Sequence, residues 1–349
     1  MIKVRNFLIR NHHIRWGVVG LIFLAIIFVF CFATWAVMKI TYYTLWREHS
    51  ISYQSQDLAN STDIEQTISS YLLDKPVTNL PLSAGAFLVS DLTSKETVVG
   101  RNEDQVLPIA SVTKLITASV AEQLLRPDQP VVVTKEAWQT YGNTGQLSVG
   151  EKLPLKIILY PLLLTSSNDA AEAIATAYGR DKFISKMNEF AKSIGMTHTH
   201  FDDPSGLSAD NLSTPNDLSK LASYLYEKKP ELLAITRETS YHFGRHTWTN
   251  YNNVSLMKYY IGGKNGYTTE ANRTLVSLFE VPINSSSSAN SKVTVKKNRL
   301  LAVVLLQSDD KKKDARNLIN YLARYASFNN GKNGFVPINP PSVSGLPKT

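Results

Sequence analysis

The chain has 349 residues, 43% of them hydrophobic and 19% charged, with 17 Gly and 15 Pro, a composition that excludes collagen-like and wholly disordered classes. One cysteine excludes an intramolecular disulfide framework and a cysteine-rich zinc site. The formal net charge is +8, but Lys3, Arg5, Arg10, Arg15, Lys39 and Arg47 face only Glu48 in residues 1–50, while the rest of the chain holds 31 basic and 28 acidic side chains. The excess therefore flanks one hydrophobic run, and no nucleic-acid partner is expected.

Residues 1–15 read as a basic cytoplasmic tail. Trp16 to Met38 carries no charge and at helical rise spans roughly 35 Å, enough for a hydrocarbon core of about 30 Å. Ala33-Thr34-Trp35-Ala36 is a poor cleavage site because Trp35 is bulky, so 16–38 is expected to be a retained signal anchor in the lipid bilayer. Four basic residues precede it, which puts the N-terminus in the cytoplasm and everything beyond about residue 40 outside. Residues 39–80 are polar and read as an extracytoplasmic stalk, with a short helix from Asp63 to Leu73.

A globular region is expected over 81–326. Ala86 to Val89 and Thr97 to Val99, joined by the turn-like Asp91–Lys95, predict a β-hairpin. Helical patterns then run from Ser111 to about Ile235: an apolar helix through Leu115 and Val120, then Leu155–Leu164, Ala170–Ala177, Lys182–Ile194 and Asn216–Tyr226. Strand patterns return at Thr274–Val276 and Leu300–Leu306, separated by a Ser-rich loop over Asn284–Asn290. Asp309 to Ala326 reads as a closing helix, and 327–349, with four prolines, reads as a disordered tail. A sheet built from both ends of the region, with helices inserted, is an α+β arrangement.

Three short motifs carry chemistry. Ser111-Val112-Thr113-Lys114 places an ammonium on the same helical face as a hydroxyl, near a helix N-terminus; dipole and burial both favour the neutral amine, which can take the serine proton. Ser166-Ser167-Asn168 lies between two helical segments. Lys264-Asn265-Gly266 follows Gly262 and Gly263, a lysine able to hold a carboxylate at a strand start beside a glycine that permits close backbone approach. Each motif alone is weak. S-x-x-K recurs at Ser255–Lys258 and Ser308–Lys311, S-x-N at Ser288–Asn290 and Ser327–Asn329, and K-x-G at Lys332–Gly334, and each also reads as a cap, a turn or a hairpin.

Their order, with a hairpin first and a strand last, resembles the serine-type D-alanyl-D-alanine carboxypeptidases, the low-molecular-mass penicillin-binding proteins. Leu107–Ser111, Leu162–Ala171, Gly195–Phe201, Pro204–Leu207 and Ser213–Leu218 resemble further stretches of that family, over about residues 82–325. The resemblance implies a penicillin-binding-protein/serine-β-lactamase-like fold, an antiparallel sheet flanked by helices with a helical subdomain. It implies trimming of the terminal D-Ala from peptidoglycan stem peptides through an acyl-enzyme on Ser111, with Lys114 as general base, Ser166 as proton relay and Asn168 holding that network. Lys264, Asn265, Gly266, Tyr267 and Thr268 would bind substrate, with the N–H groups of Ser111 and Tyr267 as oxyanion hole. β-Lactams are implied as covalent inhibitors, and no metal or organic cofactor. Asn265 departs from the family's usual threonine.

Three other readings have sequence support. His198-Thr199-His200-Phe201-Asp202-Asp203 is similar to a metallo-β-lactamase zinc run without its last histidine. Asp202 stands where a serine β-lactamase could hold its deacylating carboxylate. A non-catalytic binder of wall peptides rests on Asn265 alone.

Overall fold

The computed structural model describes Thr34, residues 71–75, 77, 80–286 and 295–329. Apart from Thr34, the expected anchor over 16–38, the stalk up to residue 70 and the tail from 330 lie outside the described residues, among which no helix is long and apolar enough to cross a membrane.

In chain order the strands are β1 (Tyr71–Leu73), β2 (Ala86–Asp91), β3 (Glu96–Arg101) and the two-residue β4 (Leu107–Pro108). A 3₁₀ turn, Ala110–Thr113, leads into helix α1 (Lys114–Leu124). Then come β5 (Pro130–Val132), α2 (Lys135–Trp138), β6 (Lys152–Pro154), α3 (Leu155–Leu164), α4 (Asn168–Tyr178) and α5 (Arg180–Ser193). Next are β7 (Leu212–Ser213), α6 (Pro215–Lys228), α7 (Pro230–Arg237), β8 (Ser240–Phe243) and β9 (His246–Thr249). The chain closes with β10 (Tyr260–Thr268), β11 (Asn272–Ser286), β12 (Val295–Ser308), α8 (Lys311–Tyr325) and β13 (Ala326–Asn329).

The main sheet has seven strands in the order β1-β13-β11-β12-β2-β3, with β10 also paired to β11. All its pairs are antiparallel except β11 with β13. The near-continuous apolar runs of β2 and β12 follow from burial on both faces. Leu300, Ala302, Val304 and Leu306 join the core shared with the helical block, while Leu301, Val303 and Leu305 alternate into the core under α8. The expected α+β architecture is therefore present, with the hairpin where Asp91 caps its own turn through Thr93 N at 2.7 Å.

Local signals explain most boundaries. Ser167 accepts from Ala170 N (3.0 Å) to start α4, Thr214 accepts from Asp217 N (3.1 Å) to start α6 with Pro215 in its first turn, and Asp310 caps α8. Four expectations are corrected. Tyr71–Leu73 is a strand paired with β13, not the end of a helix, so the sheet begins inside the segment read as stalk. Residues 327–329 belong to β13, between β1 and β11, rather than to a disordered tail. Asn284–Ser286 extends β11 into the Ser-rich segment, because β13 and β12 both pair with it there. Lys264 sits in the middle of β10 rather than at a strand start.

Candidate active site

Ser111 sits in the 3₁₀ turn before α1, not in its first α-turn, and Ala110 before it has φ 49°, a left-handed conformation that costs a residue with a Cβ about 1–3 kcal/mol. Two neighbours hold the turn there. Thr274 Oγ1 donates to the Ile109 carbonyl at 2.9 Å from β11. Gly206, at φ 86°, backs against Ala110 so closely that a Cβ would lie 2.0 Å from its carbonyl oxygen.

Lys114, fully buried, reaches Ser111 Oγ at 2.9 Å, Asn168 Oδ1 at 2.6 Å and the Ser205 carbonyl at 2.5 Å. Asn168 Nδ2 donates to the Tyr141 carbonyl at 2.7 Å, which turns its amide oxygen toward Lys114. Two of the three lysine partners are thus carbonyl oxygens with no proton to give. A neutral amine spends its two N–H bonds on them, and its lone pair is left facing Ser111 Oγ. Burial supplies the neutral form: it pushes the Lys114 pKa down to about 7, against the opposing pull of Asp203, Asp169 and Glu172.

The Ser205 carbonyl is held in turn by Asp203. Its Oδ1 accepts from Ser205 Oγ (2.7 Å) and Gly206 N (2.7 Å), and its Oδ2 accepts from Ser208 N (2.5 Å). Burial raises the Asp203 pKa, but these donors outweigh it and hold the carboxyl below its ordinary value. Asn211 ties the loop to Thr113 through its Nδ2, at 3.1 Å. With both oxygens of Asp203 taken by such donors and His198 and His200 exposed, the zinc reading loses its carboxylate. No cluster of three metal-ligating side chains occurs among the described residues. Asp202, the candidate for the β-lactamase role, is exposed, and the buried carboxylate beside it, Asp203, is taken up by its own loop.

β10 forms the other wall. A Cβ on Gly266 would lie 2.7 Å from Ser111 N and 2.6 Å from Thr274 Oγ1, so only glycine lets this strand meet the nucleophile turn. Lys264 is buried, and its Nζ donates to the Asn265 carbonyl at 2.7 Å. Burial first, then Lys114 and Lys311, drive its pKa well below the usual lysine range. The Asn265 Oδ1 is buried with no hydrogen-bond partner among the described residues. Tyr267, 62% exposed, lies under the Arg273 guanidinium at 5.4 Å, and Thr268 pairs with Asn272. Among the described residues β10 pairs with no strand but β11; Gly263 N donates instead to Thr236 Oγ1 at 2.9 Å, so the edge left for an extended chain lies beyond Gly263.

Ser111, Lys114, Asn168, Lys264 and Gly266 therefore share one cleft. Ser166 is half-buried at φ 60° just before α4 and is not among the hydrogen-bond partners of Lys114. The profile of a peptidase family, D-alanyl-D-alanine carboxypeptidase, matches residues 74–282. The chain belongs to that family. It is 40% identical over 150 residues to a D-alanyl-D-alanine endopeptidase of Haemophilus influenzae (42% of this chain, 51% of the relative). It is 32% identical over 214 residues to a D-alanyl-D-alanine carboxypeptidase of Mycobacterium tuberculosis (58% of this chain, 73% of the relative). The matched stretch thus spans only about half of the Haemophilus protein. Among solved structures, the D-alanyl-D-alanine carboxypeptidase of Mycobacterium tuberculosis aligns with TM-score 0.61 at 28% identity, covering 71% of this chain and 94% of that one. The Streptomyces K15 DD-transpeptidase aligns with TM-score 0.60 at 26% identity, covering 69% and 97%. These matches establish the penicillin-binding-protein-like fold of the described region.

Motif reading missed the residues that support this D-alanyl-D-alanine carboxypeptidase-like cleft. Asp203 and Gly206 had a signal, since D-x-S-G is a turn in which the carboxylate accepts from the following N–H groups. The Tyr141 carbonyl had none, because a backbone group contributes regardless of its side chain.

Proposed function

We propose that the protein is a serine D-Ala-D-Ala carboxypeptidase. The single observation that carries the reading is the buried Lys114 amine, whose two carbonyl partners leave its lone pair for Ser111. An extended stem peptide adds to the free edge of β10, its terminal carboxylate drawn to Lys264 and Asn265. Ser111 Oγ passes its proton to Lys114 and attacks the carbonyl of the penultimate D-Ala. The negative oxygen is taken by the N–H groups of Ser111 and Tyr267. The proton returns from Lys114 to the leaving amine as the C–N bond breaks and free D-Ala departs, a path Ser166 would join only if its hydroxyl turned toward Lys114 with substrate bound. Water, deprotonated by Lys114, then cleaves the ester and frees the shortened peptide. A β-lactam opened by Ser111 would stop at the ester.

Mass spectrometry of the purified protein with a D-Ala-D-Ala pentapeptide tests this: loss of one alanine is expected, and retention of full activity in Ser111→Ala would sink the assignment. The Haemophilus relative supports a second reading, cleavage of a D-Ala cross-link, which a cross-linked dimer offered in the same assay separates. We further propose, from the uncharged run over 16–38 and the four basic residues before it, that the protein is anchored in the cell membrane by one span with the peptidase region outside. Release of the intact chain by alkaline washing of membranes would contradict that.

A further inference from the structure

We propose that the groove beside α8 binds a linear phosphodiester polymer with a polyol rather than a base-bearing backbone. The groove has a volume of about 640 Å³. Along one wall Lys312, Arg316, Asn320 and Arg324 recur every four residues on α8, rungs about 6 Å apart over about 18 Å of helix. Lys258 and Lys296 line it from outside α8, with Lys296 Nζ donating to the Ala323 carbonyl at 3.4 Å. No carboxylate lines the groove, and none of these five cations forms an ion pair among the described residues.

Elsewhere some surface cations are paired, as Lys156 with Asp128 at 2.7 Å, Arg180 with Glu172 at 2.9 Å and Lys186 with Glu189, and others stand singly; what sets the groove apart is that five cations line one concavity with no carboxylate. Beyond residue 50 the chain is nearly balanced, with 31 basic and 28 acidic side chains. Five cations in one concavity, with no ion pair among the described residues, are a local segregation of charge, whose physical effect is to attract a polyanion.

The shape narrows the partner. A bilayer presents its headgroups in a plane and cannot follow a concave wall, whereas a single chain can. The floor carries Ile319, buried, and Ala323, which suit the carbon skeleton between phosphates. The one ring in the groove, Tyr259, has the Lys258 ammonium 4.7 Å over its face, so no open aromatic platform is left for a nucleobase. None of the cleft residues lines the groove, and α8 packs against the sheet face opposite the one that α1 covers. The site is separate from Ser111.

The test uses the full chain in non-ionic detergent and a synthetic glycerol-phosphate oligomer, titrated by calorimetry at several salt concentrations. Saturable binding is expected, with log K falling against log salt at a slope of about −3.5, from five phosphate contacts at about 0.7 each. Arg316→Glu with Arg324→Glu should weaken binding about tenfold or more, and Lys258→Glu with Lys296→Glu outside α8 should do the same. D-Ala release should be unchanged in both. Two variants guard against one failing to fold, and thermal melts of each report that directly. No binding by the wild type, or equal binding by folded variants, overturns the proposal. So does equal or tighter binding of a thymidine oligomer, and so does binding confined to phosphatidylglycerol vesicles. The binding titration does not depend on turnover, so its failure is distinguishable from failure of the peptidase reading.

Discussion

The two walls of the cleft are both buried, yet their polar groups are satisfied to different degrees. On the helical wall the carbonyl groups that contact Lys114 are both held by further partners, and the one buried orphan nearby is Asp169 Oδ2, among the described residues. Lys114 has three, Asn168 is used at both ends of its amide, and Asp203 anchors the loop that supplies the Ser205 carbonyl. On the strand wall Lys264 has one backbone partner and the Asn265 Oδ1 none among the described residues. Buried polar groups are ordinarily paired, so the strand wall is the half that a ligand completes, and the helical wall is assembled beforehand. In the proposed mechanism, proton transfer belongs to the first wall and carboxylate recognition to the second.

The most direct way to break this contrast is Lys114→Met. If the helical wall is the base, acylation by a fluorescent penicillin should fall by about 10²–10⁴-fold; a value within a few fold of wild type would remove Lys114 from the chemistry. Gly266→Ala comes next. The added Cβ displaces β10 from Ser111 N, and a shift of about 1 Å should cost about 10²-fold in D-Ala release. Unchanged kinetics would mean that the walls are not in register with one another.

A pH profile sharpens the comparison further. Only the neutral amine accepts a proton, so the acylation rate should rise with pH through about 7. Asp203 favours the charged form of Lys114, so Asp203→Asn should move that limb to lower pH; movement upward would contradict the electrostatic assignment. On the strand wall, Asn265→Thr removes a buried acceptor left unpaired. It should raise stability by about 1 kcal/mol and change penicillin acylation by only a few fold, checked by thermal melting and stopped-flow. The smallest effect belongs to Ser167→Ala, which loses the α4 cap and should cost about 1 kcal/mol in denaturant unfolding with little change in KM.

The same division explains what could be read from residues alone. The nucleophile, the base and the glycine approach depend on residue type at fixed spacing, and the motifs name them. The α3, α4 and α6 helices follow from periodicity and caps, with Leu155–Leu164 agreeing to the residue. What stayed illegible depends on the backbone or on distant pairing. The Tyr141 and Ser205 carbonyls serve the site whatever their side chains are. Tyr71–Leu73 continues a polar, helix-like stretch and becomes a strand only because β13, from the far end of the peptidase region, lies beside it. The extension of β11 over Asn284–Ser286 has the same origin in two flanking partners, for which Asn284 and Ser285 give no local sign.

The pairing of β1 with β13 also bears on mechanical load. Tyr71 faces Phe328 and Leu73 faces Ala326, a ladder three residues long at one margin of the sheet, reinforced by the Tyr71 hydroxyl on Asp91. Tension arriving through the preceding chain meets this short ladder first. It can peel away while the long β11–β12 pair, which carries β10 and the cleft, keeps its register. A three-residue ladder is thus the part of the sheet expected to yield first under tension, ahead of the strands that carry Lys264 and Gly266.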